Sequence, residues 1–500
     1  MADQLRRKAT RPQRGKRDGL MIGQIWIHRI GFAWVLDVAL LDQPPATRAH
    51  FPYFVAISAR QPHARWIRHG HDSIRRVTIV TRTQFGAFLA PHHPTGESAT
   101  LQFQRDLELA AHLDHLGYDE LWVGEHHSTG WETIASPEMF LAAAGMKTHT
   151  IRLGTGVISL PYHHPFNVAQ RMVQLDHMTR GRAMFGSGPG ALPSDARTLN
   201  IDPMVQRDRQ DEALGVIIRL LNGAERFDYD SDWFTLRDAA LHILPVQENM
   251  PMVTASSISP SGMQLAGKYG MGVLSIASTS SAGLQALPTQ WGFAEESAAA
   301  HGQAVDRSNW RVMMAWHIAE TREQAQAEAL HGLHRWHNEY NVAVLGRPGA
   351  VHVDDPHVLM EQVAEGGAEG GGTAVVGTPD DLIAAIRNLQ RVTGGFGVVL
   401  GFAHDWANVE ASRRSWDLVA RYVVPAVNGT IAPQIASAQY VAANKTDLIA
   451  GATAAVMNKI MAHPGATSAL VTTMAQMAER AEKKKNDPAF RPGVGVQTAE

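Results

Sequence analysis

The stretch DELWVGEHH, residues 119–127, shows the pattern that decides the fold of this chain. Its first part, 119–124, is a short β-rich run, and the polar residues Glu125, His126 and His127 follow it at once. Along most of the chain, runs of this kind alternate with amphipathic helical patterns, and such alternation predicts parallel βα units. Polar residues at the end of a strand are then candidate functional residues at that edge of the sheet.

Eight β-rich runs occur from residue 83 onward, and eight is the number of strands that closes a TIM barrel. We therefore predict an α/β fold of the (β/α)8 TIM barrel type, with insertions and a C-terminal helical extension. Hydroxyl residues before a proline mark several helix starts, as in Ser136-Pro137, Ser259-Pro260 and Thr378-Pro379. The predicted strands are 83–89, 119–124, 151–158, 182–187, 251–256, 271–275, 310–318 and 397–401.

Composition divides the chain into three parts. Residues 1–82 carry a large excess of Lys and Arg over Asp and Glu and show no clear helical or strand period. They are either a basic, partly disordered extension or non-native sequence upstream of the true start. Residues 83–430 form the predicted barrel. Residues 431–500 begin with an Ala-rich helical pattern, which we interpret as a packing or oligomerisation element.

Bulk composition excludes several classes of function. The formal net charge of -3 gives the chain no general attraction to nucleic acid or to anionic membranes. The absence of cysteine excludes disulfides, thiolate metal sites and a cysteine nucleophile, and it favours a cytoplasmic protein. The longest apolar stretch carries His28, Arg29 and Asp37, so we do not predict a membrane span. A small-molecule partner is the remaining expectation.

The segment 346–377 contains two glycine clusters, Gly366-Gly367 and Gly370-Gly371-Gly372. We predict that it is too flexible to be a packed element, because glycine leaves the backbone many conformations. An insertion of this kind near an active site is either a mobile lid or a plain surface loop. The sequence leaves both alternatives open.

Unusual motifs follow five of the predicted strands, and the loops at the carboxyl ends of the strands build the active site of a TIM barrel. We therefore expect these motifs to share one rim. Histidine pairs at 92–93, 126–127 and 163–164 suggest a metal site, but adjacent residues of an extended segment point to opposite faces, so one pair does not easily supply two ligands. Three imidazoles from three different pairs could bind an ion, but no acidic cluster of recognisable spacing accompanies them, and we predict no metal site. The rim motifs are Pro91–Pro94, Glu125–His127, Gly156-Val157, Gly186–Gly190 and Ser256–Gly262.

Two of these motifs suit a flat or phosphorylated ligand. The run Gly186–Gly190 lacks the spacing of a dinucleotide fingerprint, but it keeps side chains away from a flat cofactor. A tight turn is the alternative for this run. In Ser256–Gly262, hydroxyl groups and free backbone N–H groups at a helix N-terminus form an anion site, and a phosphate fits there.

Together and in this order, the motifs resemble the bacterial luciferase-like family of flavin-dependent monooxygenases, from residue 83 to beyond residue 420. Within the family, the chain is most similar to limonene 1,2-monooxygenase-type enzymes, which share GPGALPSD and SDWFTLRDA. The stretches that carry the resemblance are FGAFLAPHHPTGES, GYDELWVGEHHSTGWE, IRLGTGVISLPYHHP, LDHMTRGRAMFGSGPGALPSD, SDWFTLRDAALHILP, GTPDDL and GGFGVVLGFAHDW.

The resemblance implies an enzyme that uses reduced FMN, supplied by a separate NADH-dependent flavin reductase, and O2 as co-substrate. It implies transfer of one oxygen atom to a small apolar molecule, with epoxidation of a monoterpene such as limonene as the first choice. The alternatives are Baeyer–Villiger oxidation of a cyclic ketone, a deazaflavin-dependent oxidoreductase and a flavin-binding protein without turnover. We expect a homodimer.

The resemblance also implies roles for individual residues. His126 stands at the position of the family's catalytic histidine, and Glu125 beside it would orient or tune its neighbours. Arg207 and Arg209 are both candidates for pairing with a phosphate. The implied substrate pocket contains His92, Trp131, Tyr162 and residues of the 346–377 insertion. The implied flavin contacts are Thr155, Gly156, Val157, Ser187, Gly188, Ser257, Ser259, Ser261 and Gly262, with a non-proline cis peptide common at Gly156-Val157.

Overall fold

The computed structural model describes residues 82–90, 92–276, 281–347, 349–364 and 373–485, together with the backbone of four short strands between residues 19 and 54. The chain divides into two compact units, Met1–Ile79 and Val80–Glu500. In the first unit, strands pair in sequence order as an antiparallel sheet that the sequence did not predict. These strands are Gly19–Ile22, Ile25–Ile30, Ala33–Val38 and Tyr53–Phe54. Most of the predicted extension 1–82 lies outside the described residues, so its nature stays a prediction.

The second unit is built on a closed barrel of parallel strands. The last strand returns to the first, with Val398 opposite Gln84 and Ala403 opposite Leu89. This closure confirms the predicted (β/α)8 TIM barrel, and each predicted strand is present. The strands are β1 (Gln84–Leu89), β2 (Glu120–Val123), β3 (Arg152–Thr155), β4 (Ala183–Gly188), β5 (Met252–Ser256), β6 (Gly272–Ser275), β7 (Trp310–Ile318) and β8 (Val398–Ala403).

A buried ion pair crosses the barrel at the amino-terminal ends of its strands. Glu120 begins β2 and Arg311 lies near the start of β7, and these two strands are not neighbours. Arg311 Nε and Nη2 donate to the two Glu120 oxygens at 2.8 and 2.7 Å. Trp122 Nε1 donates to the same carboxylate at 2.8 Å, and Arg311 Nη1 donates to Asn309 O at 3.0 Å. A Cβ added at Gly154 would overlap the Trp122 ring, so the indole fills the barrel interior.

Helices cover the outside of the barrel, and their starts follow the sequence with one exception. Thr378 and Asp381 form a capping box, and Pro137 opens its helix. The helix expected at Ser259-Pro260 begins at Ser261, with Pro260 as its N-cap, so Ser259 lies before the cap. The helices are Ala99–Leu116, Pro137–Gly145, Pro165–Thr179, Pro193–Thr198, Gln206–Leu221, Ser261–Tyr269, Ser281–Ala300, Arg322–Arg335, Pro356–Ala364, Pro379–Thr393 and Val409–Leu418, with π-helical segments at Trp336–Val344 and Val419–Val423.

The segment 346–377 contains packed elements that its glycine content did not predict. It includes the helix Pro356–Ala364 and the strand Ala374–Gly377, which pairs in parallel with β7. The prediction that this segment holds no packed element is therefore wrong for these residues. The physical reason is burial of apolar side chains such as Leu359, which is 2% exposed. The glycine clusters at 366–372 lie outside the described residues.

Further elements lie after and between the barrel units. Two long helices, Ala432–Met461 and Pro464–Lys485, follow the barrel, and the first of them has no buried residue. A hairpin pairs Phe227–Asp230 with Thr235–Ala239, and the short strand Ile158–Ser159 pairs with β4. Within the part of the chain that the structure describes, no helix is both long and apolar enough to cross a bilayer.

Candidate active site

The carboxyl ends of four consecutive barrel strands carry most of the predicted site residues. Val123 of β2 pairs with Thr155 of β3, and Ser187 of β4 pairs with Ile158 and with Thr254 of β5. Parallel strands paired in this way end side by side. The rim therefore brings together Glu125 and His126 after β2, Gly156 and Val157 after β3, Ser187 and Gly188 at the end of β4, and Ser257 after β5.

His126 has a carboxylate at each ring nitrogen. Its Nδ1 lies 3.2 Å from Asp195 Oδ2, and its Nε2 lies 3.3 Å from Glu132 Oε2. The side chain is 17% exposed, so solvent can reach it. Burial lowers the pKa of His126, but the Glu132 and Asp195 carboxylates outweigh burial and hold this pKa above its ordinary value. The two carboxylates therefore favour the imidazolium form of His126.

Asp195 is fixed at the start of a short helix, Pro193–Thr198. Its Oδ1 accepts from the backbone N–H of His127 at 3.1 Å and from the Ser128 hydroxyl. Burial raises the pKa of Asp195, but the bonds from His126 and Ser128 hold it below its ordinary value. Asp195 is therefore an ionised partner for His126 Nδ1.

Glu132 connects His126 with His92. Its Oε1 accepts a short hydrogen bond from His92 Nε2, and Trp336 Nε1 donates to His92 Nδ1 at 3.2 Å. Both ring nitrogens of His92, a predicted substrate-pocket residue, are thus used within the protein. Burial raises the pKa of Glu132, but the hydrogen bond from His92 and the nearby His126 ring outweigh burial and lower this pKa to about 2. The Tyr340 ring lies 4.7 Å from the His92 ring and covers this group.

Glu125 lies in a separate hydrogen-bonded cluster. Its Oε1 accepts from His127 Nε2 at 2.8 Å and from His163 Nε2 at 2.6 Å, and its Oε2 accepts from Ser159 N at 2.7 Å. The ligand atoms of Glu125, His127 and His163 lie within 4.8 Å of one another, as in a metal site. Arg171 donates to His163 Nδ1 at 3.3 Å, so the His163 proton lies on Nε2, where a metal needs a lone pair. We therefore interpret this cluster as hydrogen-bonded rather than metal-ligating.

The loops after β3 and β4 approach each other closely. The Gly156-Val157 peptide bond is cis, as the family resemblance implied. Thr155 Oγ1 donates to Gly186 O at 3.1 Å and accepts from Gly186 N at 2.9 Å. A Cβ added at Gly188 would overlap Val157 Cγ2, so the glycine allows this close approach without a shift of Val157. The two loops present backbone and short side chains to the rim.

The motif Ser256–Gly262 after β5, called the serine motif from here on, has the groups of an anion site. Ser256 is 3% exposed, and its hydroxyl has no hydrogen-bond partner in the described part of the chain. Ser257 and Ser259 are exposed, and Ser259 Oγ lies 2.9 Å from Ser261 Oγ at the first turn of the following helix. A Cβ added at Gly262 would overlap the backbone of β5, so the helix start packs directly on the strand. The free N–H groups of this first turn suit an anion.

The two candidate arginines lie in different surroundings. Arg207 is exposed and lines one surface cleft together with Ser261. The Arg209 guanidinium lies 5.2 Å from the Trp233 ring centroid and 3.9 Å from Asp232. Arg207 is therefore the better placed of the two for an anion at the serine motif.

Aromatic residues predicted for the substrate pocket are largely buried. Trp131 is 2% exposed, and its ring lies 5.2 Å from that of Tyr340. The Tyr162 hydroxyl accepts from Gln206 Nε2 at 3.0 Å, and burial raises the pKa of Tyr162 to about 12. A Cβ added at Gly190 would overlap this hydroxyl, so the glycine run contacts Tyr162. Apolar rings and a neutral hydroxyl suit a small apolar molecule.

Three residues of the rim were not predicted: Glu132 and Asp195, which contact His126, and Tyr340, which packs against His92. Glu132 and Asp195 lie at the ends of two stretches that carried the family resemblance, and acidic residues there were a usable signal for partners of a histidine. Tyr340 lies in a π-helical segment and has no local signal, because tertiary packing alone brings it to the rim. Glu125, predicted to orient or tune its neighbours, accepts a hydrogen bond from His127, and its charge raises the pKa of His126.

Comparison with known sequences gives consistent matches. A family model described as luciferase-like monooxygenase matches residues 83–394. Limonene 1,2-monooxygenase of Rhodococcus erythropolis is 47% identical over 354 residues, which cover 71% of this chain and 89% of that protein. 4-Hydroxyprotoasukamycin monooxygenase of Streptomyces nodosus subsp. asukaensis is 47% identical over 366 residues, which cover 73% of this chain and 97% of that protein.

A solved structure shares the fold. It is the oxygenating constituent of 3,6-diketocamphane monooxygenase from Pseudomonas putida, a type II Baeyer–Villiger monooxygenase in complex with FMN. The TM-score is 0.59 at 24% identity, and the match covers 69% of this chain and 98% of that one. At this level of identity, the match supports the barrel architecture and no more.

Proposed function

Because the chain belongs to the luciferase-like monooxygenase family, we propose that it is an FMN-dependent two-component monooxygenase. It transfers one oxygen atom of O2 to a small apolar substrate, and epoxidation of a monoterpene such as limonene is the first candidate reaction. One observation carries the proposal: His126, between two carboxylates, lies on the same rim as loops made of backbone and short side chains.

The residues of the rim fit a flavin mononucleotide. A phosphate at the serine motif would give partners to the buried Ser256 hydroxyl and to the first N–H groups of the next helix. Arg207, in the same cleft as Ser261, would pair with this phosphate. Thr155–Val157 and Ser187–Gly188 would lie against the isoalloxazine ring, because their short side chains leave room for a flat molecule.

Reduced FMN supplies the two electrons with which one oxygen atom of O2 enters the substrate and the other leaves as water. A separate flavin reductase would take these electrons from NADH. Formation of water consumes protons, and His126 Nε2 is the atom of the rim that would provide one. Buried rings such as Trp131 and Tyr340 keep water away from the reacting atoms.

Baeyer–Villiger oxidation of a cyclic ketone is the second candidate reaction. A relative named 3,6-diketocamphane 1,6-monooxygenase, from Pseudomonas putida, is 25% identical over 383 residues and favours this alternative. The two relatives at 47% identity carry different substrate names, so identity alone does not select a substrate. The choice between the reactions is therefore experimental.

The test is oxygen consumption and product analysis with reduced FMN and any NADH-dependent flavin reductase. The test has three arms. The first contains limonene, the second contains a cyclic ketone, and the third contains an alcohol with a deazaflavin in place of FMN. We expect an epoxide in the first arm, with one O2 consumed per product. A lactone from the ketone alone would replace the first candidate by the second. Turnover only with the deazaflavin, or no turnover with FMN bound, would contradict a monooxygenase.

The proposal also includes a homodimer and the separate reductase. Light scattering of the purified full chain should give twice its monomer mass of 54.5 kDa. Product should form with an unrelated flavin reductase, since free reduced FMN is enough in a two-component system. A monomer, or product only with one particular reductase in tight complex, would contradict these two points.

A further inference from the structure

Glu132 is one of the two buried carboxylates at His126, and the proposed reaction does not say what it does to the His126 proton. It lies on the loop after β2 and pairs with His92 through an isolated β-bridge, so the backbone of two loops fixes its position. Its side chain is only 5% exposed. A carboxylate buried to this degree is tolerated only with partners for its charge.

The proton positions around Glu132 follow from its neighbours. Trp336 Nε1 can only donate, and it donates to His92 Nδ1, so the proton of the neutral His92 ring lies on Nε2. His92 Nε2 then donates to Glu132 Oε1. Burial lowers the pKa of His92, the charge of Arg347 adds to this effect, and together they outweigh Glu132 and keep the ring neutral. One oxygen of Glu132 is thus held by a fixed neutral donor.

The second oxygen of Glu132 faces His126. This Oε2 lies 3.3 Å from His126 Nε2 and has no well-aligned hydrogen bond in the part of the chain that the structure describes. The Tyr340 hydroxyl also lies against the Glu132 carboxylate and lowers the pKa of Glu132. On the other side of the ring, His126 Nδ1 faces Asp195 at 3.2 Å. A neutral imidazole has one N–H, so only the imidazolium can donate to both carboxylates.

We propose that Glu132 is a positioning residue that, anchored by His92, holds the His126 ring between itself and Asp195 with a proton on each ring nitrogen. This inference rests on the proposed function. In the reaction, the N–H bond at Nε2 breaks and one O–H bond forms on the oxygen atom that leaves as water, whose second hydrogen would come from the reduced flavin. The electron pair stays on Nε2, the two reducing electrons come from reduced flavin, and solvent returns the proton to His126.

The charges that face His126 give the direction of the pH effect. Glu132, Asp195 and, at longer range, Glu125 all favour the imidazolium. Replacing Glu132 by the neutral, isosteric glutamine removes one of these charges and lowers the pKa of His126. The fraction of protonated His126 then falls at a lower pH than in the native chain.

The test compares Glu132→Gln with Glu138→Gln, a matched control whose buried carboxylate contacts Arg171 and not His126. For Glu132→Gln we expect kcat to fall about 10- to 100-fold, as for other residues that orient a catalytic group, with little change in KM. The basic limb of the kcat–pH profile should move to lower pH, and Glu132→Asp, which keeps the charge, should restore that limb in part. The control should show none of these changes.

A second readout does not depend on turnover. NMR titration of the His126 ring nitrogens in the resting chain should give a lower pKa in Glu132→Gln than in the native chain or the control. An unchanged His126 pKa together with an unchanged pH profile would overturn the role of Glu132. If no substrate is oxygenated by the native chain, the proposed function fails, while the titration still decides whether Glu132 holds the His126 proton.

Discussion

The two ends of the barrel both contain buried charges, but in the described part of the chain the ion pair at the amino-terminal end is fully bonded, whereas the carboxyl-terminal rim has unpaired polar groups. At the amino-terminal end, Arg311 and Glu120 form two direct bonds of 2.7 and 2.8 Å, and Trp122 adds a third to the carboxylate. At the carboxyl-terminal rim, the carboxylates lie 3.2 and 3.3 Å from His126, and the Ser256 hydroxyl is unpartnered in the described residues. The amino-terminal end, where Arg311 and Glu120 pair (the closed end), suits stability. The carboxyl-terminal rim around His126 (the open end) suits binding and proton transfer.

This difference indicates which buried polar groups point to a functional site. A network in which each donor has an acceptor gains nothing from a ligand, because no group is left to satisfy. A rim with long contacts and an unpaired hydroxyl has groups that a ligand can satisfy. Substitutions at the closed end should therefore lower the free energy of unfolding, whereas substitutions at the rim should lower product formation or FMN affinity. The following predictions test this difference.

The largest effect is expected at the closed end. Arg311→Met leaves the Glu120 carboxylate buried without its partner, so the free energy of unfolding should fall by about 3–5 kcal/mol. Adding Glu120→Leu removes the uncompensated charge and should recover much of this loss. Urea denaturation of the single and double variants measures both values. A double variant less stable than the single one would show that Arg311 is not the charge partner that compensates buried Glu120.

The next effect is expected at His126, in rate rather than stability. His126→Ala removes the proton donor of the rim, so product formation should fall about 100- to 1000-fold, within the range of general acid–base catalysis. FMN affinity and melting temperature should change little. His149→Ala, at an exposed histidine, is the control and should leave product formation unchanged. Equal product from His126→Ala and the native chain would refute the assigned role.

A smaller effect is expected where the two loops meet. Gly188→Ala places a methyl group against Val157, so the loops must separate, at a cost of about 1–3 kcal/mol. FMN affinity should fall by roughly tenfold, because 1.4 kcal/mol corresponds to one decade. Fluorescence titration with FMN measures the change. Gly292→Ala, where a Cβ would meet nothing within 4 Å, should leave FMN affinity unchanged.

The smallest effect is expected at the unpaired hydroxyl. Ser256→Ala removes a group that has no protein partner in the described residues, so stability should stay within about 0.5 kcal/mol of the native value. FMN affinity should fall several-fold, in line with the loss of one hydrogen bond of about 0.5–1.5 kcal/mol. An unchanged affinity for FMN would place its phosphate away from Ser256.

The sequence predicted the barrel because its strands are local patterns. Each β-rich run is readable by itself, and the rim motifs follow from where the strands end. The partners of His126 were not predictable in the same way, since Glu132 reaches it from the loop after β2 and Asp195 from the short helix Pro193–Thr198. The ion pair between Glu120 and Arg311 was also missed, because it crosses the barrel between strands far apart in sequence.

The most direct test of the account is a single turnover with pre-reduced FMN and ¹⁸O2, using the substrate that the activity comparison identifies. Mass spectrometry should find one ¹⁸O atom in the product of the native chain and very little product from His126→Ala. Unlabelled product, or labelled product in equal amount from both chains, would contradict the claim that the His126 rim transfers oxygen from O2.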